Sequence, residues 1–344
     1  MSSLRPERVT ISDIARRLDL SKASVSYALN GRPGVSAQTR ARVLNLAEEL
    51  GFHASSAAVA LSAARSGTIG IVIARDPEVI TAEGFYMRTL FGVEQYLNDA
   101  DGSLLLRLTG EHGEDLHVYR RWARQGRVDG FILYDEHDDD PRIPLLRSMR
   151  MPCVMVTSTS LDDHIGRLIT PELETVTVML DHLHSLGHRR IAHLSGPMDY
   201  IHERVRAEMM AAEGKRRGMR MRHVAGTYEY ESGAEETRRL LSAAPRSRPT
   251  ALVVGNDIMA TAALRTASEL GVSVPDELSI VAWDDSVLCH VARPQLTAMD
   301  HGLMEKARLA TDLLFDIIAG GTQLHRFSPV GTLLVRETTG PAPN

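Results

Sequence analysis

The chain has 344 residues, more than one typical domain of roughly 100–200 residues, so two or three domains are expected. Hydrophobic residues make up 43% and charged residues 24%, which excludes a disordered, collagen-like or coiled-coil protein. Net charge is −5, but residues 1–65 hold nine basic against five acidic side chains, so a small basic head sits on an acidic body. The head reads as three short helices. Ile11, Ile14, Ala15 and Leu18 form one apolar stripe, started by Thr10 and Asp13 in a capping-box-like pair. Asp19-Leu20-Ser21 breaks that helix, and Ser21 caps a second over Lys22 to Leu29 with Val25, Ala28 and Leu29 inward. Asn30-Gly31-Arg32-Pro33-Gly34 is a turn, and Ser36 caps a third helix with Val43, Leu46, Ala47 and Leu50 inward, closed by Gly51. Residues 55–66, SSAAVALSAARS, read as a flexible linker or a short helix that is marginal alone in water.

From Thr68 the pattern changes to short β-branched runs separated by amphipathic stretches. Strands are expected at Ile69–Ala74, Leu104–Leu108, Gly130–Tyr134, Val154–Thr157, Ile191–Leu194, Ala251–Val254 and Ile280–Trp283. Helices are expected between most of them, as at Val178–Leu186 and Met259–Leu270. This alternation predicts a doubly wound α/β body of two lobes with a ligand crevice at the strand C-termini.

Little in the body reads as catalytic. There is no P-loop, GxGxxG, GxSxG or HExxH, so neither an enzyme activity nor a cofactor is expected. His182, His184 and His188 suggest a metal only weakly; capping and solvating a helix end is the plainer expectation. The run Asp135-Glu136-His137-Asp138-Asp139-Asp140 lacks calcium-loop spacing and is expected to be a solvated acidic loop. Cys153 and Cys289 fit no disulfide framework or metal spacing and read as free buried thiols in a cytoplasmic protein. No apolar run is long enough to span a bilayer, and Glu7, Asp13 and Asp19 break up a start without an apolar core, so no membrane association or secretory signal is expected.

The head is the informative part. A capped helix, a three-residue break and a second helix form a helix-turn-helix, whose second helix enters the DNA major groove. Ala23, Ser26, Tyr27 and Asn30 share its outer face, with Lys22 at the leading end, a set able to read bases and hold phosphates. A three-helix interaction module is the alternative.

The segment VTISDIARRLDLSKASVSYALNGRPGVSAQTRARVLNLAEELGF closely resembles the DNA-binding domain of the LacI/GalR family of bacterial transcriptional regulators. The resemblance continues through Ile69-Gly70-Ile71-Val72, Val128-Asp129-Gly130, Leu186-Gly187-His188-Arg189-Arg190-Ile191-Ala192, Gly196-Pro197, Asn256-Asp257, Trp283-Asp284-Asp285 and Pro294-Gln295-Leu296-Thr297. It implies an all-α, lambda-repressor-like helix-turn-helix head at 1–54, a hinge at 55–66 and a periplasmic-binding-protein-like effector and dimerisation domain at 67–340. In that domain lobe 1 is expected over about 67–167 and 298–328, and lobe 2 over about 168–297 and 329–340. The implied protein is a homodimeric repressor that binds a palindromic operator on double-stranded DNA and responds to a small-molecule effector, a sugar or sugar derivative; a nucleoside, base or other metabolite is the alternative.

Carried over by position, Lys22, Ala23 and Tyr27 match the family's base-reading residues, and Thr10, Ser21, Ser26, Asn30, Ser36 and Thr39 its phosphate contacts. Ala58 and Leu61 match the minor-groove hinge, where the leucine wedges into a base step. Phe85, Tyr86, Arg204, Tyr228, Asn256, Asp284 and Asp300 match effector-crevice positions. The chain departs from the family in several places. Tyr27 replaces a frequent Arg, Ala54-Ser55 a frequent Pro-Asn, Val59 a frequent Arg, Thr170-Pro171 a frequent Asp-Asn, and Asp300 a frequent Gln. A periplasmic sugar-binding protein would need an export signal and no helix-turn-helix, and an α/β enzyme a nucleophile or cofactor loop.

Overall fold

The computed structural model describes residues 9–29, 31–52, 65–75, 77–82, 84–110, 113–160, 164–244 and 246–343. The chain divides into two units, Met1–Ser66 and Gly67–Asn344. Asn30 and the hinge positions Ala54, Ser55, Ala58, Val59 and Leu61 lie outside the described residues.

The first unit contains α1 (Ile11–Leu18), α2 (Lys22–Leu29) and α3 (Ala37–Glu49). Each start is capped as its sequence predicts. The Asp13 carboxylate accepts the Thr10 N–H at 3.0 Å and the Thr10 hydroxyl at 2.7 Å. Ser21 Oγ accepts the Ser24 N–H at 3.0 Å, and Ser36 Oγ the Thr39 N–H at 3.1 Å. Asp19 ends α1 in the left-handed region (φ 54°), where a short polar side chain is tolerated. Every helix contributes two buried residues to the core: Ile14 and Ala15, Val25 and Ala28, Val43 and Ala47. Leu29, Leu46 and Leu50 pack at its edge, partly exposed.

The second unit holds two six-stranded sheets. The first has the order β11-β5-β4-β3-β1-β2, from β1 (Thr68–Ala74), β2 (Ser103–Thr109), β3 (Gly130–Leu133), β4 (Cys153–Thr157), β5 (Gly166–Ile169) and β11 (His325–Phe327). Its strand pairs are parallel throughout. The second has the order β12-β10-β9-β8-β6-β7, from β6 (Arg190–Ser195), β7 (Arg220–Ala225), β8 (Ala251–Val254), β9 (Ser279–Ala282), β10 (Thr297–Asp300) and β12 (Thr332–Leu334). Here β12 runs antiparallel to β10, and the other pairs are parallel. β3, β8 and β9 are buried along their whole length, the mark of strands covered by helices on both faces.

The lobe boundaries differ slightly from those expected. β5, up to Ile169, pairs in the first sheet, and β10, which includes residues 298–300, pairs in the second. The chain therefore changes lobes at Thr170–Pro171, at His301–Gly302 and between Phe327 and Thr332. Helices Gly84–Asp99 and Leu303–Ile318 pack closely against each other because Gly92 has no side chain. A Cβ there would lie 2.6 Å from the Met304 carbonyl oxygen. That close approach aligns the first turns of both helices beside the same crevice.

Two histidine and cysteine expectations meet different outcomes. Cys153 and Cys289 are free and buried. His188, expected at a solvated helix end, is instead fully buried, with Nδ1 3.0 Å from Thr250 Oγ1 and Nε2 2.9 Å from Ser279 Oγ. Its ring cross-links two strand starts. Among the described residues no metal-type cluster is found, and no helix is long and apolar enough to cross a membrane.

Candidate functional site

On the head, Lys22, Ala23 and Tyr27 are exposed along α2, opposite the buried Val25 and Ala28. Tyr27 lies against the following turn, where a Cβ on Gly34 would sit 3.2 Å from its ring. Ser21 and Ser36 are exposed and Thr39 partly exposed at helix N-termini, where N–H groups and the helix dipole favour an anion such as phosphate. Ser26 is partly exposed, and the Thr10 hydroxyl is engaged by Asp13.

The body places a crevice between its lobes, enclosing about 850 Å³ of atom-free space that includes some open solvent. Its walls come from the C-terminal ends of strands on both sides. Arg75 follows β1, Asp135 follows β3, and Thr157 and Ser158 close β4. Tyr228 follows β7, Gly255 follows β8, and Trp283 and Asp284 follow β9. This is where doubly wound sheets bind small molecules.

Two buried ionic clusters organise the walls. Arg75 donates to Asp135 through Nε at 3.1 Å and Nη2 at 2.9 Å, and the Tyr86 hydroxyl adds a third bond at 2.6 Å. Burial opposes ionisation of Asp135, but Arg75 and Tyr86 outweigh it and hold its pKa far below the usual carboxylate range. The same guanidinium lies 4.2 Å from the Tyr200 ring centre and 5.2 Å from that of Tyr228. In the second cluster Arg206 donates to Glu172 at 3.0 Å and Glu203 at 2.6 Å, and stacks 4.2 Å over Trp283. Burial raises the Glu172 pKa, yet Arg206 overrides it and brings the value to about 2.

Tyr228 completes the second cluster. Its hydroxyl donates to Glu203 at 2.7 Å, and the hydroxyl end of its ring occupies the space beside Gly196, where a Cβ would sit only 2.1 Å away. His202 Nε2 is 3.0 Å from the Tyr228 hydroxyl, and burial brings the His202 pKa down to about 4. His301 is likewise held well below its ordinary value by burial, while its Nε2 bonds the Trp283 carbonyl at 2.8 Å. Both rings are therefore neutral at pH 7.

Of the expected effector residues, Phe85, Tyr86, Tyr228 and Asp284 line the crevice. Three do not, each replaced by a near neighbour. Arg204 is partly exposed and pairs with Asp138, whereas His202 and Arg206, four apart on helix Ile201–Arg216, face the crevice. Asn256 is consumed as a helix cap, accepting the Met259 N–H at 2.8 Å and donating to the Tyr228 carbonyl at 2.9 Å; Gly255 lines the crevice instead. Asp300 accepts the Gly302 N–H at 2.9 Å, and His301 lines the crevice. Thr170 does reach it, donating to Glu172 at 2.9 Å.

The acidic run is also corrected. Asp135 is paired with Arg75, buried Glu136 with Arg167 at 2.9 Å, and buried Asp140 with Arg142 at 2.6 Å. The run is therefore ion-paired at Asp135, Glu136 and Asp140, whereas Asp138 and Asp139 are exposed as expected. Sequence reading missed Arg75, Asp135, Glu172, Trp283 and Lys306 as lining residues. For Trp283 the signal was present, since it precedes Asp284 in a recognised motif.

Comparison with known proteins identifies the two kinds of domain. Residues 10–55 match the family model of bacterial regulatory proteins of the lacI family, and residues 180–339 that of a periplasmic binding protein-like domain. The HTH-type transcriptional regulator CelR of Thermobifida fusca is 30% identical over 333 residues, 92% of this chain and 94% of that protein. A LacI family transcriptional regulator structure from Bifidobacterium animalis subsp. lactis DSM 10140 is 34% identical, with a TM-score of 0.74 over 81% of this chain and 99% of its own. A structure of a transcriptional regulator CelR–cellobiose complex is 26% identical, with a TM-score of 0.73 over 96% of this chain and all of its own. This chain belongs to the LacI family of bacterial transcriptional regulators.

Proposed function

We propose that this regulator binds a palindromic operator as a homodimer and is controlled by a polyhydroxylated small molecule, a sugar or sugar derivative, held between the lobes. One observation carries the effector reading. The crevice combines the Asp284 carboxylate, two carboxylate-paired guanidinium groups, and aromatic faces from Phe85, Tyr228 and Trp283. Carboxylates accept hydrogen bonds from hydroxyl groups, and aromatic faces cover the apolar side of a sugar ring. The Trp283 indole N–H and the Tyr134 hydroxyl are buried without a partner among the described residues, and a polar ligand would satisfy such groups. The relative solved with cellobiose supports the same ligand class.

On the head, Lys22, Ala23 and Tyr27 are assigned to base edges, and Thr10, Ser21, Ser26, Asn30, Ser36 and Thr39 to phosphates. Ala58 and Leu61 are assigned to the minor groove. Homodimerisation is supported by apolar surface on the body. Met87 and Phe91, on one face of helix Gly84–Asp99, are 67% and 57% exposed. Leu106 and Leu108 on edge strand β2, and Val287 and Val291, are exposed as well.

The test is selection of a duplex from a random pool, then anisotropy titration with and without sugars. The expected result is one palindromic site, two chains per duplex, a steep salt dependence, and a shift of affinity with one sugar class. Equal affinity for all duplexes, or one chain per duplex, overturns the reading.

A further inference from the structure

Three cationic side chains line the crevice, and two are already neutralised by the protein. Arg75 has Asp135, and Arg206 has Glu172 and Glu203. The third is Lys306, in the first turn of helix Leu303–Ile318, flanked on the crevice wall by Leu303 and Ala307. Among the described residues its ammonium makes no hydrogen bond and no ion pair. Resting on the reading of the crevice as the effector site, we propose that the effector is an acidic polyol, a sugar bearing a carboxylate or a phosphate, and that Lys306 recognises its anionic group.

The charge arrangement supports this assignment. A half-buried ammonium on the crevice wall that makes no hydrogen bond to the protein is open to an incoming anionic oxygen, which forms a charge-assisted hydrogen bond with it. Burial pulls the Lys306 pKa below its ordinary value; Glu172, Asp284 and Asp300 oppose this through space, and Arg206 adds to it. Of the carboxylates on the wall, Asp135 and Glu172 are tied to guanidinium groups, so their repulsion of an anion is compensated. Lys306 also sits where the backbone of its helix contributes partial positive charge. The unpartnered Trp283 and Tyr134 donors then remain for the hydroxyls.

The experiment is calorimetry on the full-length protein with three matched sets: glucose, glucuronate and glucose 6-phosphate; galactose, galacturonate and galactose 6-phosphate; ribose, ribonate and ribose 5-phosphate. In at least one set an anionic member should bind about tenfold or more tightly than its neutral parent, and the winning acid tells carboxylate from phosphate. Lys306→Met should abolish that difference, and Lys306→Arg should retain it. Lys306→Met should melt within about two degrees of the wild-type temperature or above it, since the ammonium makes no hydrogen bond or ion pair that the substitution would break. A neutral parent that binds as tightly as its acids, or a preference that survives Lys306→Met, overturns this inference and leaves the sensor reading standing. Melting several degrees lower assigns Lys306 a structural role and also overturns it. Failure of all nine compounds to bind overturns the carbohydrate reading with it.

Discussion

Removing the Arg206 guanidinium tests whether the crevice is built on ion pairing. Arg206→Ala leaves Glu172 and Glu203 buried without their cation, and strips the stacking partner from Trp283. Breaking one side of a buried pair costs about 3–5 kcal/mol. A second route gives the same order: a Glu172 pKa lowered from 4.5 to about 2 corresponds to stabilisation on the order of 3 kcal/mol. The pH dependence separates ion pairing from lost packing. In the wild type, the Glu172 contribution is complete above pH 4.5 and fades as pH falls toward about 2. In the variant, burial without the cation raises both glutamate pKa values above those of the unfolded chain. The folded variant then takes up protons that the unfolded chain does not, and its deficit shrinks as pH falls from 7.5 to 5. Arg206 also depresses the His202 pKa, so its removal adds a change of the same sign. Urea unfolding followed by tryptophan fluorescence suits the measurement, because both tryptophans, Trp122 and Trp283, lie in the body. A deficit under about 1 kcal/mol, or one constant across that pH range, would refute the ion-pair account.

Other expectations follow from the same geometry. Arg204→Ala should leave the crevice walls intact and weaken effector binding by no more than about threefold, the scale of a surface ion pair, whereas Arg206→Ala should weaken it at least tenfold; equal losses in calorimetry would mean the two roles are misassigned. His193 and His202, both brought to about 4 by burial, are neutral when folded and take up protons on unfolding below pH 6.5. Body stability should therefore fall between pH 6.5 and 4, by up to about 1.4 kcal/mol per pH unit for each histidine, and a flat urea midpoint across that window contradicts it. Lys22→Ala and Tyr27→Ala should change which duplex is selected, and Ser36→Ala should weaken all duplexes about equally; identical profiles in a binding-site selection would reverse the base and phosphate assignments.

Much of the fold was legible because its signals are local. Thr10 with Asp13, Ser21 and Ser36 each announce a helix within three residues, and all three helices start where those residues stand. Buried strands such as Ala251–Val254 are short β-branched or apolar runs and are found at the expected residues. Strand β7 was missed because it is an edge strand, Arg220–Ala225, whose alternating basic residues hide its period. The crevice was legible only in part. Its ionic partners lie far apart in sequence, Arg75 and Asp135 by 60 residues and Arg206 and Glu172 by 34. An acidic run read alone therefore looked solvated. Arg204 and Arg206 differ by two positions on one helix, and residue type does not say which turns inward. Lys306 looks like any lysine at the start of an amphipathic helix.

The way the lobes meet explains how a small ligand can matter to so large a body. Their contacts at the rim are polar: Arg88 Nη1 donates to the Asp285 carbonyl at 2.8 Å, the Ile201 N–H to the Glu136 carbonyl at 2.9 Å, and Arg204 pairs with Asp138. Among the described residues each of the four apolar clusters in the body instead belongs to one lobe or the other, and none spans the two. Hydrogen bonds that exchange with water contribute only about 1 kcal/mol each, so parting these rim contacts would cost on the order of a few kcal/mol. A difference of that size is within reach of a ligand with unequal affinity for the two states. The crossings place the lever well. Thr170 and Glu172 flank one and His301 and Leu303 another, and all four line the crevice. A ligand that fixes side chains on both sides of a crossing therefore fixes the angle between the lobes. Apolar packing holds each lobe rigid, and polar contacts leave their relation adjustable.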